Sequence, residues 1–495
     1  MSHYYLGIDQ GTTQTTAIVV DEVGRVVAQR SVQVPSRFPA PGRVEQDPYA
    51  ILQSVREVAA PLAAAYPIAA AGFDNQGETF ILWDSQTGQP LTPAIVWQDK
   101  RGEAVCQEMA DQVEAKWLHR KTGLILDSYF AAPKLRFILQ TEPELLDRAR
   151  QGRLLFGTTE TWTLWQLSQG RLHVTDPSTA SRTLLYDINR LTWDDELLAL
   201  FDIPLSMLPR VLPSSGYVGE IDLGSGEKIP LHALLVDQQA ALFGQACFEP
   251  GDMKCTLGTG SFLLMNTGDR PYDDAAGLLA TVAWQGPDRV AYALDGGVFV
   301  AGAAVQWLVE GLHLLPDVAS SSDAAFSSQH DGVVVVPALA GLAAPHWQTD
   351  VRGAMFGLDR GVTSADIVRA TLEGVAFRIQ EVISAMVQVA PYSPSSLKVD
   401  GGPSANAYLM QFLADLLNME IQVAAAQEAT ALGVANLAAV AVGHIGLNDL
   451  EARWRAQKRY TPRMASSRRQ ELLHRWQQAL AGLQQFHSHV QAFRV

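Results

Sequence analysis

Two glycine–threonine turns, each between apolar β-prone runs and about 250 residues apart, constrain this chain more than any other feature. The first, Gly11-Thr12-Thr13, separates the run Tyr4–Asp9 from Ala17–Asp21, and a turn at Glu22–Arg25 leads to a third run at Val26–Ala28. That is a strand–turn–strand meander, whereas a P-loop or a dinucleotide unit passes from strand through turn into helix. The second turn, Gly258-Thr259-Gly260, joins Lys254–Leu257 to Ser261–Asn266. One supersecondary unit repeated at half-chain spacing predicts two domains of similar design facing each other. Pro250-Gly251 is a turn signal just ahead of the second copy, so the expected domains are residues 1–249 and 250–495. A chain of 495 residues is also too long for one ordinary core.

The second half shows its helices plainly. Thr363 is placed to cap a helix, with Asp366 three positions later. Ile367, Thr371, Val375, Ile379 and Ile383 then follow at i, i+4 spacing. A strand at Leu397–Val399 enters Asp400-Gly401-Gly402, and helices are expected from about Asn406 to Leu417 and over Ala429–Val442. Strands mixed with long helices define an α/β protein.

A formal charge of −15 argues against a nucleic-acid surface, which normally shows a basic face. It does not exclude an anion site, because backbone N–H groups bind phosphate without Lys or Arg. Cys106, Cys247 and Cys255 are sparse and lack metal-ligand spacing, which reads as reduced, buried thiols. The first residues have no basic, then apolar leader, and no uncharged apolar run approaches the ~20 residues of a membrane helix. A soluble, cytosolic protein is expected.

With these residues in view, the chain resembles the FGGY carbohydrate kinases over nearly its whole length, and their glycerol-kinase branch most closely. The match is carried by GIDQGTTQTTAIVVD (7–21), DNQGETFILWD (74–84), IVWQDKR (95–101) and HVTDPSTASRTLLYDI (173–188). It continues through DQQAALFGQ (237–245), TLGTGSFLLMNTG (256–268), ALDGGVFVAGAAVQWL (293–308) and VDGGPSANAYLMQF (399–412). The resemblance implies a two-domain actin/Hsp70-like (ribonuclease H-like) fold, with ATP and substrate meeting in the interdomain cleft. It implies transfer of the γ-phosphoryl group of ATP to a hydroxyl of a small polyol or sugar, with Mg²⁺ as cofactor and a homodimer or homotetramer as the assembly.

Such a transfer requires that the triphosphate be held, its charge neutralised, and the hydroxyl aligned and deprotonated. Gly11, Thr12 and Thr13 on one side, and Gly258, Thr259 and Gly260 on the other, are suited to cradle phosphate; on their own, both runs read simply as tight turns. By resemblance Asp9 holds Mg²⁺, partly through water. Asp237 emerges from an apolar run; taken alone it reads as a helix cap, and by resemblance as the general base. For adenosine the resemblance points to Gly302, Gln306, Gly401, Gly402 and Asn406. For the substrate it points to Glu78, Trp97, Tyr129, Asp237, Gln238 and Phe262, a set in which carboxylate and amide bond hydroxyls and aromatic faces pack on carbon.

Four residues and one loop depart from the branch. Gly77 stands where an arginine resembling a substrate clamp is usual, and Thr16 where an arginine near the phosphate turn is usual. Ala131 and Phe137 replace a small hydroxyl residue and a tryptophan, and Asp222–Lys228 lacks a loop linked to feedback by a sugar bisphosphate, so none is expected. Without a donor at Gly77, either glycerol binds weakly or the vacated space admits a longer polyol or ketose. Glycerol and a four- or five-carbon polyol or ketulose (xylulose or ribulose type) therefore both stand as substrates, with a slight lean to the larger. A non-catalytic sugar sensor of the same fold is a remote third reading.

Overall fold

The computed structural model describes residues 3–272, 276–426 and 428–492. Its first hairpin pairs Tyr4–Gln10 (β1) antiparallel with Gln14–Asp21 (β2). Leu6, Ile8 and Val19 pack into one core, and Tyr5, Ile18 and Val20 into another, so both faces of these strands are covered. Val26–Gln33 (β3) runs five residues beyond the apolar stretch that marked it. It is a largely exposed edge strand bonded only to β2, so its polar residues need no core. Ile68–Asn75 (β4), Ser215–Asp222 (β5) and Lys228–Val236 (β6) complete a sheet of order β5-β6-β4-β1-β2-β3, with β4 parallel to β1 and β6.

The second sheet repeats this logic. Met253–Leu257 (β7), Ser261–Gly268 (β8), Leu279–Gln285 (β9), Val290–Val298 (β10), Ser396–Asp400 (β11), Glu420–Ala424 (β12) and Ala456–Tyr460 (β13) lie in the order β9-β10-β8-β7-β11-β12-β13. In each sheet an antiparallel meander abuts a strand parallel to its first member, β4 beside β1 and β11 beside β7. The repeat seen in two turns thus extends to topology.

Helix Pro48–Ala65 (α1) covers one face of the first sheet through Leu52, Val55 and Val58. A smaller five-stranded sheet combines Ser36–Arg37 and Glu45–Gln46, which precede α1, with Phe80–Asp84, Ala94–Ile95 and Leu154–Thr158 from the chain between β4 and β5, which also supplies helix Ala131–Thr141 (α2). Asp237–Gly244 (α3) leads out of β6, and Gly302–Glu310 (α4) follows β10. Ser364–Val389 (α5) opens with the capping box expected of Thr363 and Asp366. Ala407–Leu417 (α6) is capped by Asn406, whose side chain accepts from the Leu409 N–H.

Ala429–Ala441 (α7) lies late in the chain but packs on the first sheet, burying Ala431, Val434, Ala435 and Ala438 against Tyr5, Ile18 and Ala70. It crosses α3 with the backbones touching. A Cβ on Gly244 would stand 1.9 Å from the Ala429 carbonyl oxygen, and one on Gly433 1.9 Å from that of Ala240. Only glycine fits at that crossing. A division at residue 249 therefore separates α7 from the sheet it covers. Among the described residues, no helix is long and apolar enough to cross a membrane.

Candidate functional site

Two cavities open at the second hairpin's level. The smaller, about 160 Å³, is lined by all six residues expected to touch substrate: Glu78, Trp97, Tyr129, Asp237, Gln238 and Phe262. Most come from the first domain, whereas Phe262 on β8 and Asp295 on β10 come from the second, so the cavity closes only between the two. The Trp97 indole N–H donates to Thr12 Oγ1 at 2.9 Å, and its ring meets Tyr129 edge-on at 5.5 Å. Thr12 thereby belongs to this wall as well as to the first turn.

The floor is charged. Arg182 pairs with Glu78 at 2.8 Å and with Asp295 at 3.0 Å, all three buried. Burial pushes the Glu78 carboxyl up against the opposing pull of Arg182. The flanking carboxylates hold Arg182 charged despite burial. Arg182 and Asp295 were not singled out from sequence; the signal available was only that Arg182 sits inside the quoted run 173–188 and Asp295 inside 293–308. Nor was Lys134 on α2, fully buried, whose ammonium binds the backbone oxygens of Tyr129 (2.8 Å) and Trp97 (3.2 Å) and so fixes both aromatic walls. Burial lowers its pKa to about 8.

Gly77 borders the same cavity. A Cβ there would stand 2.9 Å from Val236 Cγ2 and 3.8 Å from Arg182 Cγ, so Val236 occupies part of the space that the missing side chain was expected to vacate.

Asp237 is the first residue of α3, at the end of β6. Its Oδ1 accepts the adjacent Gln238 N–H, at 2.7 Å, and its Oδ2 the Gln238 amide at 3.4 Å; among the described residues it has no basic partner within ion-pair distance, and it lines the cavity. Burial raises its pKa, while the Gln238 N–H and Lys254 oppose that rise. Lys254 on β7, unmarked in sequence, is fully buried and donates to Gln238 Oε1 at 2.5 Å and Thr256 Oγ1 at 3.0 Å. Burial lowers its own pKa. Asp9 ends β1 beside Asp74 at the end of β4; burial raises Asp9 to about 7, and Asp74 well above the usual carboxylate range.

The larger cavity, about 1050 Å³, includes Gly258, Thr259, Gly302, Gln306, Gly402 and Asn406 of the expected nucleotide set. The second turn is locked onto α4: the Gly302 N–H donates to the Gly258 oxygen at 3.0 Å, and the Ala301 and Ala303 N–H groups to that of Thr259 at 2.8 and 3.1 Å. Asn406 donates to Ser321 Oγ at 3.0 Å, and Gln306 to Glu310. Gly401 lies behind the wall with φ +86°, where a Cβ would stand 1.9 Å from the Leu257 oxygen. Gly260 also backs the turn, against the Val298 oxygen. Gly11 closes the first turn by donating to the Gln14 oxygen at 3.0 Å, and the Thr13 oxygen accepts from Val34. Neither Gly11 nor Thr13 lines either cavity. Trp307, Ser322, Leu372 and Val375 also line the larger cavity and were not anticipated there.

The chain belongs to the FGGY family of carbohydrate kinases: residues 4–244 match its N-terminal domain and residues 253–442 its C-terminal domain. Family and fold make it an ATP-dependent phosphotransferase acting on an alcohol, of the glycerol-kinase-like type. Glycerol kinase 2 of Thermotoga maritima is 43% identical over 488 residues, covering 97% of this chain and 98% of that protein. A glycerol kinase of Listeria monocytogenes is 44% identical over 492 residues, 98% and 99% of the two chains. The glycerol kinase of Plasmodium falciparum, solved with ADP, superposes with a TM-score of 0.92 at 33% identity, covering 97% and 98%. A xylulose kinase of Lactobacillus acidophilus shares the fold, at TM-score 0.87 and 23% identity.

Proposed function

We propose that this enzyme transfers the γ-phosphoryl group of ATP to a terminal hydroxyl of a polyol of glycerol size. The observation that carries this reading is the 160 Å³ cavity, which sets one half-buried carboxylate, Asp237, among the groups that would hold a short polyol. Glu78 and Gln238 accept and donate to hydroxyls, Trp97, Tyr129 and Phe262 enclose the carbon chain, and Asp237 takes the hydroxyl proton as the new P–O bond forms. The second turn and α4 hold the triphosphate tail, with adenosine in the larger cavity against Gly402 and Asn406.

Mg²⁺ fits the acidic end of β1, where Asp9 supplies an oxygen ligand; when bound it would neutralise phosphate charge. Closure of the two domains over the small cavity would exclude water and limit wasteful hydrolysis of ATP. The acidic balance supports an enzyme without nucleic-acid partners, the sparse free thiols support a cytosolic one, and the family resemblance supports a homodimer or homotetramer.

A larger four- or five-carbon substrate is the second reading, favoured by the missing donor at Gly77 but opposed by Val236 in the adjacent space. A coupled ADP-release assay with Mg-ATP across glycerol, erythritol, xylitol, ribitol, D-xylulose and D-ribulose separates them. Glycerol should give the highest kcat/KM; a longer substrate winning by about tenfold, ~1.4 kcal/mol of transition-state preference, overturns the glycerol assignment.

A further inference from the structure

Asp74 has no part in the reading above, yet it is the most conspicuous polar side chain near Asp9. The two are register partners near the ends of parallel strands β1 and β4, so their side chains sit next to each other on the same face of the sheet. Asp9 is partly exposed, while Asp74 beside it is fully buried. Both oxygens of Asp74 are shut off from solvent and receive a hydrogen bond from no donor among the described residues. The charged groups acting most strongly on it are all carboxylates: Asp9, Asp237 and Glu428.

A buried carboxylate whose two oxygens accept no hydrogen bond is costly to keep unless a partner satisfies them, and a cation can do so for Asp74 and Asp9 together. We propose that Asp74 is a second carboxylate ligand for a divalent cation, which the Asp9–Asp74 pair holds beside the Gly11-Thr12-Thr13 turn. A hard cation such as Mg²⁺ binds through one or two carboxylates and completes its octahedron with water and substrate phosphate oxygens. That matches the described residues, which contain no group of three or more His, Cys, Asp or Glu side chains able to hold a metal unaided. The nature of the cation rests on the kinase reading; the pair itself rests on the orphaned oxygens of Asp74.

The test is titration of the nucleotide-free full-length chain with Mn²⁺, followed by electron paramagnetic resonance, for the wild type, Asp74→Asn, Asp74→Ser and Asp9→Asn. Circular dichroism selects whichever Asp74 variant keeps the native fold. The expected result is one Mn²⁺ per wild-type chain, with affinity at least tenfold weaker in the folded Asp74 variant and in Asp9→Asn. The Mg²⁺ concentration for half-maximal ADP release should rise by a similar factor in the Asp74 variant. Unchanged Mn²⁺ affinity together with a gain in stability would show that the pair shares a proton instead, and would overturn the proposal. In that case ADP release by the wild type would leave the kinase reading standing. Weakened Mn²⁺ binding in a chain whose wild type releases no ADP would keep the cation site and sink the kinase reading.

Discussion

The two cavities are built on opposite principles. The small one is walled by side chains that carry charge or rings, with a buried Glu78–Arg182–Asp295 cluster as its floor and two buried lysines, Lys134 and Lys254, behind it. The large one is walled mainly by backbone and small residues, Gly258, Gly302 and Gly402 among them, and by apolar groups such as Val375 and Leu409. A pocket defined by charged groups should fail when one side chain changes. A pocket defined by backbone should tolerate such changes and fail when a glycine gains a Cβ.

The largest expected effect is on Asp237. Asp237→Asn keeps the shape but removes the proton acceptor, and kcat should fall about 10²–10⁴-fold with KM for ATP little changed. Steady-state ADP release measures it; a loss confined to KM would place Asp237 in binding alone. Next is the charged floor. Arg182→Met strands Glu78 and Asp295 as uncompensated buried carboxylates, and denaturant unfolding should show a loss of about 3–5 kcal/mol.

On the other side of the comparison, Gly401→Ala places a Cβ 1.9 Å from the Leu257 oxygen at a left-handed φ. The strain, about 1–3 kcal/mol, should appear in stability and in KM for ATP while KM for the polyol is spared. Asn406→Ala removes the cap of α6 and the bond to Ser321, for about 0.5–2 kcal/mol of stability. Its effect on KM for ATP should stay within about tenfold, the range of one neutral hydrogen bond. A larger effect from Asn406 than from Arg182 would break the contrast. The smallest effect concerns the thiols: burial pushes Cys106, Cys247 and Cys255 up to about 12. The native protein should therefore label slowly with iodoacetamide at neutral pH, and denatured protein fast.

The same division explains what was legible in the sequence. Turns, strand alternation and the Thr363–Asp366 cap are local signals, and they foretold both hairpins, α5 and α6 to within a few residues at either end. The six substrate-facing residues came from family motifs and lie in one cavity. Arg182, Asp295, Lys134 and Lys254 were missed because a buried charge is recognisable only by its partners, which lie 16 to 104 residues away for the bonds Lys254–Gln238 and Arg182–Glu78. The reach of α7 onto the first sheet was missed for a similar reason: nothing in an alanine-rich run says which sheet it will cover. Gly77 shows the converse limit, since an absent side chain suggests empty space and only the fold reveals Val236 standing there.

The central claim is that Asp237, in the small cavity, takes the proton of a hydroxyl held there as phosphate leaves a nucleotide held in the large one. Following γ-phosphate by ³¹P NMR with Mg-ATP and glycerol tests it most directly, in the wild type beside Asp237→Asn. The account predicts a phosphomonoester of glycerol appearing in step with ADP in the wild type and almost none in the variant. Inorganic phosphate as the sole product, or equal ester formation by both proteins, would contradict it.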